Sequence, residues 1–180
     1  TDSAFLESLW LTVGFAAITT ALAVPIALGT AALIHGRSGR LAGVLGLLLL
    51  LPWAVAPVAD GLFWKLMFDA RGGLVNQGLA AVGLPVVDLA RPPGVLIVTI
   101  VAVVWRAIPL LGVLLLGALR QVPPEIGRAA RMDGASGWQV MRHITLPAIA
   151  PMLIAASLLQ VVLALQVFEV QFALTGDSPP

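Results

Sequence analysis

The sequence contains no cysteine and few charged residues, and both scarcities restrict the kind of protein that it encodes. Of its 180 residues, 59% are hydrophobic and 11% are charged, whereas roughly 25% are charged in ordinary soluble domains. Without cysteine, neither a disulfide framework nor a thiolate metal site is available. The formal net charge of +1 is too balanced to indicate a nucleic-acid partner. Composition therefore predicts a membrane protein.

Several signatures of enzymes and of processed chains are also absent. No GxxxxGK[ST] phosphate loop occurs, and the segment "GRSGR" lacks both the lysine and the spacing of one. No nucleophile and base stand together in the sequence, and His35 and His143 lie in separate loops, so we expect no catalytic residue and no metal site. The chain starts at Thr1 without the positive region of a signal peptide. We therefore expect it to be a piece of a longer protein.

Long apolar segments predict an all-α fold, a polytopic bundle of transmembrane helices that forms one domain over residues 1–180. A run of about 18 or more nearly uncharged residues is typical of a spanning helix. The four predicted spans cover residues 9–34, 41–58, 95–119 and 147–168. Pro52 and Pro57 remove backbone donors inside the second span, which predicts a break or kink there.

The distribution of arginine predicts the orientation of the chain in the membrane. Arg37 and Arg40 follow the first span without any acidic residue between them. The loop 120–146 holds four further arginines, which are Arg120, Arg128, Arg131 and Arg142. Because positive charge is enriched in cytoplasmic loops, both connections are predicted to be cytoplasmic.

The opposite side of the membrane is predicted to carry the loop between the second and third spans. Its segment "LVNQGLAAVGL", residues 74–84, has weak helical spacing and predicts a short helix at the membrane interface. Asp60 and Lys65 precede this loop. We interpret them as interfacial residues or as a local ion pair.

A charged interlude, "VPPEIGRAARMDGASGWQVMRHITLP" over residues 122–147, separates the third and fourth spans. Its two prolines and Glu125 predict a helix N-terminus, and Gly134 predicts the end of that helix. Ser136 predicts the N-cap of a second short helix. Small and apolar residues recur at spacings of three and four, at Ile126, Ala129, Ala130 and Met132 or Asp133. They predict a face that another protein's backbone can approach; the alternative is a surface loop whose charge only fixes the topology.

This interlude resembles the EAA motif of permease subunits of bacterial ATP-binding-cassette importers. Ala129 and Ala130 are followed after three residues by Gly134 and after nine more by "ITLP", residues 144–147, while "MDGAS" is similar to the carbohydrate-importer, maltose-permease-like branch. The resemblance extends to "LWLTVGFAAITTALAVPIALGTAALI", "VWRAIPLLGVLLLGALRQVPPEI" and "FEVQFALTG". Two positions depart from it: Arg128 replaces the family's glutamate, and "GDSPP" replaces a glycine-rich turn.

The resemblance implies the transmembrane subunit of an ATP-driven importer of a sugar or related polyhydroxylated solute, such as a glycerophosphodiester. It implies a multi-pass protein of the bacterial cytoplasmic membrane that is not itself an enzyme and binds no cofactor. The implied partners are membrane lipid, a second permease subunit, two ABC ATPase subunits that bind ATP and magnesium, and an extracytoplasmic solute-binding protein.

The same resemblance implies that residues 125–142 couple the membrane domain to the ATPase. The residues that it assigns to this contact, including the re-entry into the membrane, are Glu125, Arg128, Ala129, Ala130, Asp133, Gly134, Ala135, Ile144, Leu146 and Pro147.

Polar side chains inside predicted spans are candidates for the solute path, because such residues are costly in lipid and usually face a bundle interior. These candidates are Gln160, Gln166, Glu169, Gln171 and Arg106. Alternatively, Glu169 and Gln171 lie at the headgroup boundary and Arg106 satisfies a neighbouring carbonyl. The alternative function is an ion-gradient-driven secondary transporter. That class favours intramembrane carboxylates and inverted repeats, whereas Asp60 and Glu169 fall near the ends of spans.

Overall fold

The computed structural model describes residues 2–37, 40–69, 72–89 and 93–166, and all regular structure within these ranges is helical. The helices are α1 (Asp2–His35), α2 (Arg40–Leu50), a 3₁₀ turn (Leu51–Ala54), α3 (Pro57–Met67), α4 (Leu74–Ala81), α5 (Gly94–Gln121), α6 (Pro124–Met132), α7 (Gly137–Val140), a π turn (Met141–Thr145) and α8 (Leu146–Leu165). The predicted all-α transmembrane fold is confirmed.

Three helical runs in the described ranges are long and apolar enough to cross a membrane. They are Phe5–His35, Gly94–Gln121 and Gly137–Leu165. The third run joins α7, the π turn and α8 into one continuous helical segment. At about 1.5 Å per residue, α5 reaches roughly 42 Å. Because this exceeds the ~30 Å hydrocarbon core, we expect α5 to be tilted or to project beyond it.

α1 packs against α5 and α8 along a stripe of small buried side chains. The stripe comprises Ala16, Thr19, Ala23, Ala27 and Ala31. Their spacing of three and four places them on one face of α1, and small residues let helix backbones approach closely, as in other membrane bundles. Gly112 of α5 lies close to α1. If it carried a Cβ atom, that atom would lie 3.5 Å from Oγ1 of Thr30 in α1. The C-terminal halves of α1 and α5 therefore lie side by side.

The segment predicted as the second span, residues 41–58, is not a single helix. α2 ends at Leu50, the 3₁₀ turn contains Pro52, and α3 begins at Pro57 after an extended Ala56. Neither proline has an amide to donate to the preceding turn, which interrupts the helical hydrogen bonds where the sequence predicts a break. α3 then continues to Met67, past the predicted end of the span.

A buried asparagine holds the connection between α3 and α5. Asn76 of α4 donates to the carbonyl oxygens of Phe68 at 2.8 Å and Val87 at 3.0 Å, and accepts from the Val87 amide at 2.9 Å. α4 lies inside the segment predicted to be helical. It stops at Ala81 because Gly83 adopts a φ of +76°, which glycine adopts without steric cost.

Candidate functional site

The helix α6 begins and ends where local sequence chemistry predicts. Pro123 and Pro124 start it, with Glu125 in its first turn, where an acid complements the helix dipole. Gly134, at a φ of +88°, ends it: its amide donates to Arg131 O at 3.1 Å, and the Ala135 amide donates to Ala130 O at 2.9 Å. These two bonds form a Schellman motif. The predicted boundaries of this helix are confirmed.

Ser136 caps the next short helix, α7, as its sequence position predicts. Its Oγ accepts from the Gln139 amide at 3.3 Å, and Gln139 Oε1 accepts from the Ser136 amide at 2.7 Å. This reciprocal capping box satisfies two amides that a helix start otherwise leaves without partners. Because α7 continues through the π turn into α8, this capping box fixes where the whole helical segment begins.

We expect Ser136→Ala to loosen α7 by about 1 kcal/mol, the usual cost of removing a serine N-cap. Amide hydrogen exchange over residues 137–140 should become roughly fivefold faster. The matched control is Ser157→Ala, since Ser157 Oγ donates only within its own helix, to Leu153 O. Equal exchange in the two variants would contradict the capping role.

α6 packs on α7 through its glycine side and leaves the opposite side free. A Cβ added to Gly127 would contact Val140 at 3.5 Å, and Val140 is buried, whereas no residue of α6 is fully buried. The residues of the predicted small, apolar face therefore do not all have the same exposure. Ala130 is half-buried on the side of Gly127, whereas Ile126 and Ala129 are exposed.

Two large apolar side chains are exposed in this loop, one on α6 and one on α7, and the loop also contains an open depression. Met132 is 89% exposed and Trp138 is 67% exposed. The depression has a volume of about 380 Å³ and is lined by Asp133, Gly134, Ala135, Gln139, Val140, His143 and Ile144. Exposed apolar groups with a polar rim are typical of protein contact surfaces.

The two short helices are attached closely to membrane-crossing helices. Val122 and Pro123 alone separate α5 from α6, and α7 continues through the π turn into α8. Ile144 and Leu146 are half-buried, Leu146 packs against the bundle core, and Pro147 is exposed. Pro147 has no N–H group that could donate to the carbonyl oxygen of His143. The π turn lies where this helical hydrogen bond is missing.

Arg128, which departs from the resemblance, pairs with an acid of its own helix. Arg128 Nη2 lies 2.8 Å from Glu125 Oε1, and both side chains are about two-thirds exposed, at 67% and 69%. A pair so exposed contributes at most about 1 kcal/mol to stability. The two opposite charges offset each other, so this position of the surface carries an ion pair and no net charge.

Arg106 bonds to the interrupted backbone between the 3₁₀ turn and α3. Its Nη1 donates to Val55 O at 2.8 Å. This carbonyl lies at the helix break, where no helical amide is available to it. Arg106 thus satisfies a neighbouring carbonyl, as the alternative interpretation predicted.

Two of the remaining candidates for the solute path lie within the described residues. Gln160 is fully buried in α8, and neither its Oε1 nor its Nε2 has a hydrogen-bond partner. Gln166 is exposed at the end of α8. Glu169 and Gln171 lie outside the described residues. The predicted coupling residues all lie between α5 and the first turn of α8, and the role of the predicted path residues stays a prediction.

Asp60 does not lie where its sequence position predicts. Asp60 is fully buried one helical turn before Trp64, and the charge of Arg106 acts on its carboxylate. Lys65 is exposed. The interpretation of Asp60 as an interfacial residue or as a partner of Lys65 was wrong. The available signal was the spacing of four residues between a carboxylate and an indole just after a helix-breaking proline.

Comparisons with known proteins agree with this architecture. The chain is 36% identical over 177 residues to the trehalose/maltose transport system permease protein MalF of Thermococcus litoralis, covering 97% of this chain and 59% of that protein. It is 27% identical to the trehalose transport system permease protein SugA of Mycobacterium tuberculosis, covering 98% and 56%. The chain thus spans somewhat more than half the length of these relatives.

A solved structure shares the fold. A bacterial alginate ABC transporter, crystallised with an alginate pentasaccharide-bound periplasmic protein, contains a chain that superimposes with a TM-score of 0.74 at 22% identity. The match covers 83% of this chain and 52% of that one.

Membrane-crossing helices joined by an exposed loop of two short helices define a multi-pass transport protein of the cytoplasmic membrane. Residues 17–175 match the family of binding-protein-dependent transport system inner membrane components, and the chain belongs to this family.

Proposed function

We propose that this chain forms the translocation path of an ATP-driven importer for a sugar or a related polyhydroxylated solute. Residues 125–142 would couple it to a separate cytoplasmic ATPase. The observation that carries this proposal is the exposed pair α6 and α7, each capped by its own hydrogen bonds and each attached to a membrane-crossing helix. The relatives named for trehalose, maltose and alginate transport support the class of solute.

Rigid attachment is what a coupling element requires. A partner shifts a conformational equilibrium only by binding one state better than the other. Because α7 and α8 form one continuous helical run, a displacement of α7 by the partner moves α8 with it. The short α5–α6 connection acts on α5 in the same way. Contacts at α6 and α7 would thereby be linked to the arrangement of the bundle.

The proposed assembly contains a second permease subunit, two ABC ATPase subunits that bind ATP and magnesium, and an extracytoplasmic solute-binding protein. The apolar outer surface of this chain supports a membrane partner in addition to lipid. Phe5, Trp10 and Leu11 near the start of α1 are all more than 60% exposed.

The test is purification of the full complex followed by reconstitution into liposomes. We expect a P-loop ATPase to co-purify with the chain, and uptake of radiolabelled trehalose or maltose to require ATP on the ATPase side. A protonophore should leave this uptake unchanged. Uptake that continues without the ATPase and collapses with the proton gradient would instead establish the secondary-transporter alternative.

We expect Trp138→Ala to reduce co-purification of the ATPase at least about tenfold, since exposed aromatic anchors commonly dominate interfaces. Trp138 has 67% of its surface exposed and directly precedes Gln139, which lines the depression. The matched control is Trp53→Ala, because Trp53 is similarly open at 57% but lies in the 3₁₀ turn after α2. Equal loss in both variants, measured by quantitative immunoblotting, would argue against a specific contact at α7.

A further inference from the structure

Four arginines lie at one end of the helix bundle, where helices enter or leave it. Arg37 follows α1 by two residues, and Arg40 is the first residue of α2. Arg120 lies in the last turn of α5, and Arg142 lies in the π turn that leads into α8. All four side chains are exposed. We refer to these four residues as the boundary arginines.

The hydrophobic core brings the boundary arginines to the same end of the bundle. Each of the four helices contributes one residue near this end to a single hydrophobic cluster: Ile34, Ala42, Leu119 and Leu146. Each of these residues is at most about one helical turn from a boundary arginine. α1 and α5 end at this level, and α2 and α8 begin at it. The four guanidinium groups therefore surround one end of the core.

Within the described ranges, the boundary arginines have no acidic partner, unlike Arg128, which pairs with Glu125 at 2.8 Å. α6 and its C-cap carry two acidic and two basic residues, which are Glu125, Arg128, Arg131 and Asp133. These charges offset one another, so the projecting helix is electrically balanced. The excess positive charge on this side of the bundle therefore lies at the helix ends.

The surface next to the boundary arginines favours lipid as their partner over a protein that contacts α6. Leu33 and Val44 lie one turn further into the bundle and are 64% and 53% exposed. They continue the apolar outer surface of the membrane-crossing part. Arginine at such a position lays its apolar stem along this surface and reaches the headgroup region with its charged end. Basic residues beside a membrane-crossing helix attract anionic lipids.

We propose that Arg37, Arg40, Arg120 and Arg142 bind the phosphate groups of anionic phospholipids at this boundary of the membrane. A guanidinium group donates paired hydrogen bonds to phosphate oxygens. Phosphatidylcholine carries the same phosphate, but its own positive group offsets the charge. The site therefore prefers phosphatidylglycerol. By the orientation that the arginines predict, the lipid belongs to the cytoplasmic leaflet.

This inference goes beyond topology, which requires only that positive charge remain on one side during insertion. A lipid site persists in the assembled protein, so changing the lipid alone tests it. It is also independent of the proposed solute and of the proposed ATPase contact. A complex that binds phosphatidylglycerol but fails to transport sugar would contradict the transport proposal and leave the lipid site standing.

The experiment uses the complete complex, purified in detergent and stripped of lipid. Native mass spectrometry measures the dissociation constants of added phosphatidylglycerol and phosphatidylcholine. We expect the unsubstituted complex to bind phosphatidylglycerol more tightly, and salt to reduce this preference because exposed charges are screened. Replacing all four boundary arginines by glutamine should weaken phosphatidylglycerol binding at least about fivefold, the attraction expected of one basic side chain near an anionic surface.

Single substitutions within one loop separate position from net charge. Arg142→Gln should weaken phosphatidylglycerol binding, whereas the matched control Arg131→Gln removes the same charge from α6 and should leave it unchanged. This pair decides the question even if the fourfold variant fails to insert. The proposal is overturned by equal affinity for the two lipids, by equal effects of the two single substitutions, or by displacement of the lipid by inorganic phosphate. Loss of the ATPase from the fourfold variant with unchanged lipid binding would assign the boundary arginines to the protein partner instead.

Discussion

Replacing Gly134 by proline is expected to abolish ATP-driven uptake and co-purification of the ATPase, while the chain still inserts into the membrane. Gly134 has a φ of +88°, whereas proline is restricted to about −65°. Proline also removes the amide that donates to Arg131 O at 3.1 Å. The substitution therefore removes both the positive φ and the hydrogen bond that end α6. Without them, α6 and α7 cannot keep their mutual arrangement. Uptake into liposomes and immunoblotting of the purified complex measure the two effects.

A neighbouring glycine provides the control for this substitution. Gly137→Ala should retain nearly full uptake, because a Cβ there meets no atom within 4 Å and its φ is not positive. Gly134→Ala should fall between the two, since alanine at a positive φ costs about 1 kcal/mol. If Gly134→Pro retains both uptake and the ATPase, the loop 125–142 is not the coupling element.

Replacing Arg106 by methionine is expected to destabilise the membrane domain by about 3 kcal/mol. The substitution removes the 2.8 Å bond to Val55 O and leaves Asp60 buried without its compensating charge. Losing a charged hydrogen bond costs about 1.5–3 kcal/mol, and an uncompensated buried charge adds to that cost. The melting temperature of the chain in detergent should fall accordingly.

The double variant Arg106→Met with Asp60→Asn should regain part of this stability, because no buried charge then remains uncompensated. Arg120→Met is the control, since Arg120 is exposed near the end of the same helix and should leave the melting temperature nearly unchanged. Additive effects of the two substitutions in the double variant would show that Arg106 and Asp60 do not interact energetically.

The sequence by itself determined the features that depend on neighbouring residues. Long apolar runs predicted helices that cross a membrane, because backbone groups in lipid must bond within their own segment. Pro52 and Pro57 predicted the break, and Glu125, Gly134 and Ser136 predicted the ends of the short helices. Each of these signals acts over about one helical turn, so it is readable without knowledge of the fold.

Only the tertiary structure decided which polar residues meet. Arg106 and Val55 are 51 positions apart in the chain, and no local pattern connects them. The burial of Asp60, of Gln160 and of the Trp64 indole nitrogen depends on how whole helices pack. Hydropathy placed Asp60 near a span end, but α3 continues beyond the break and turns the carboxylate inward. Packing between helices therefore determined which polar side chains are buried and which charges lie together, because both are properties of the assembled bundle.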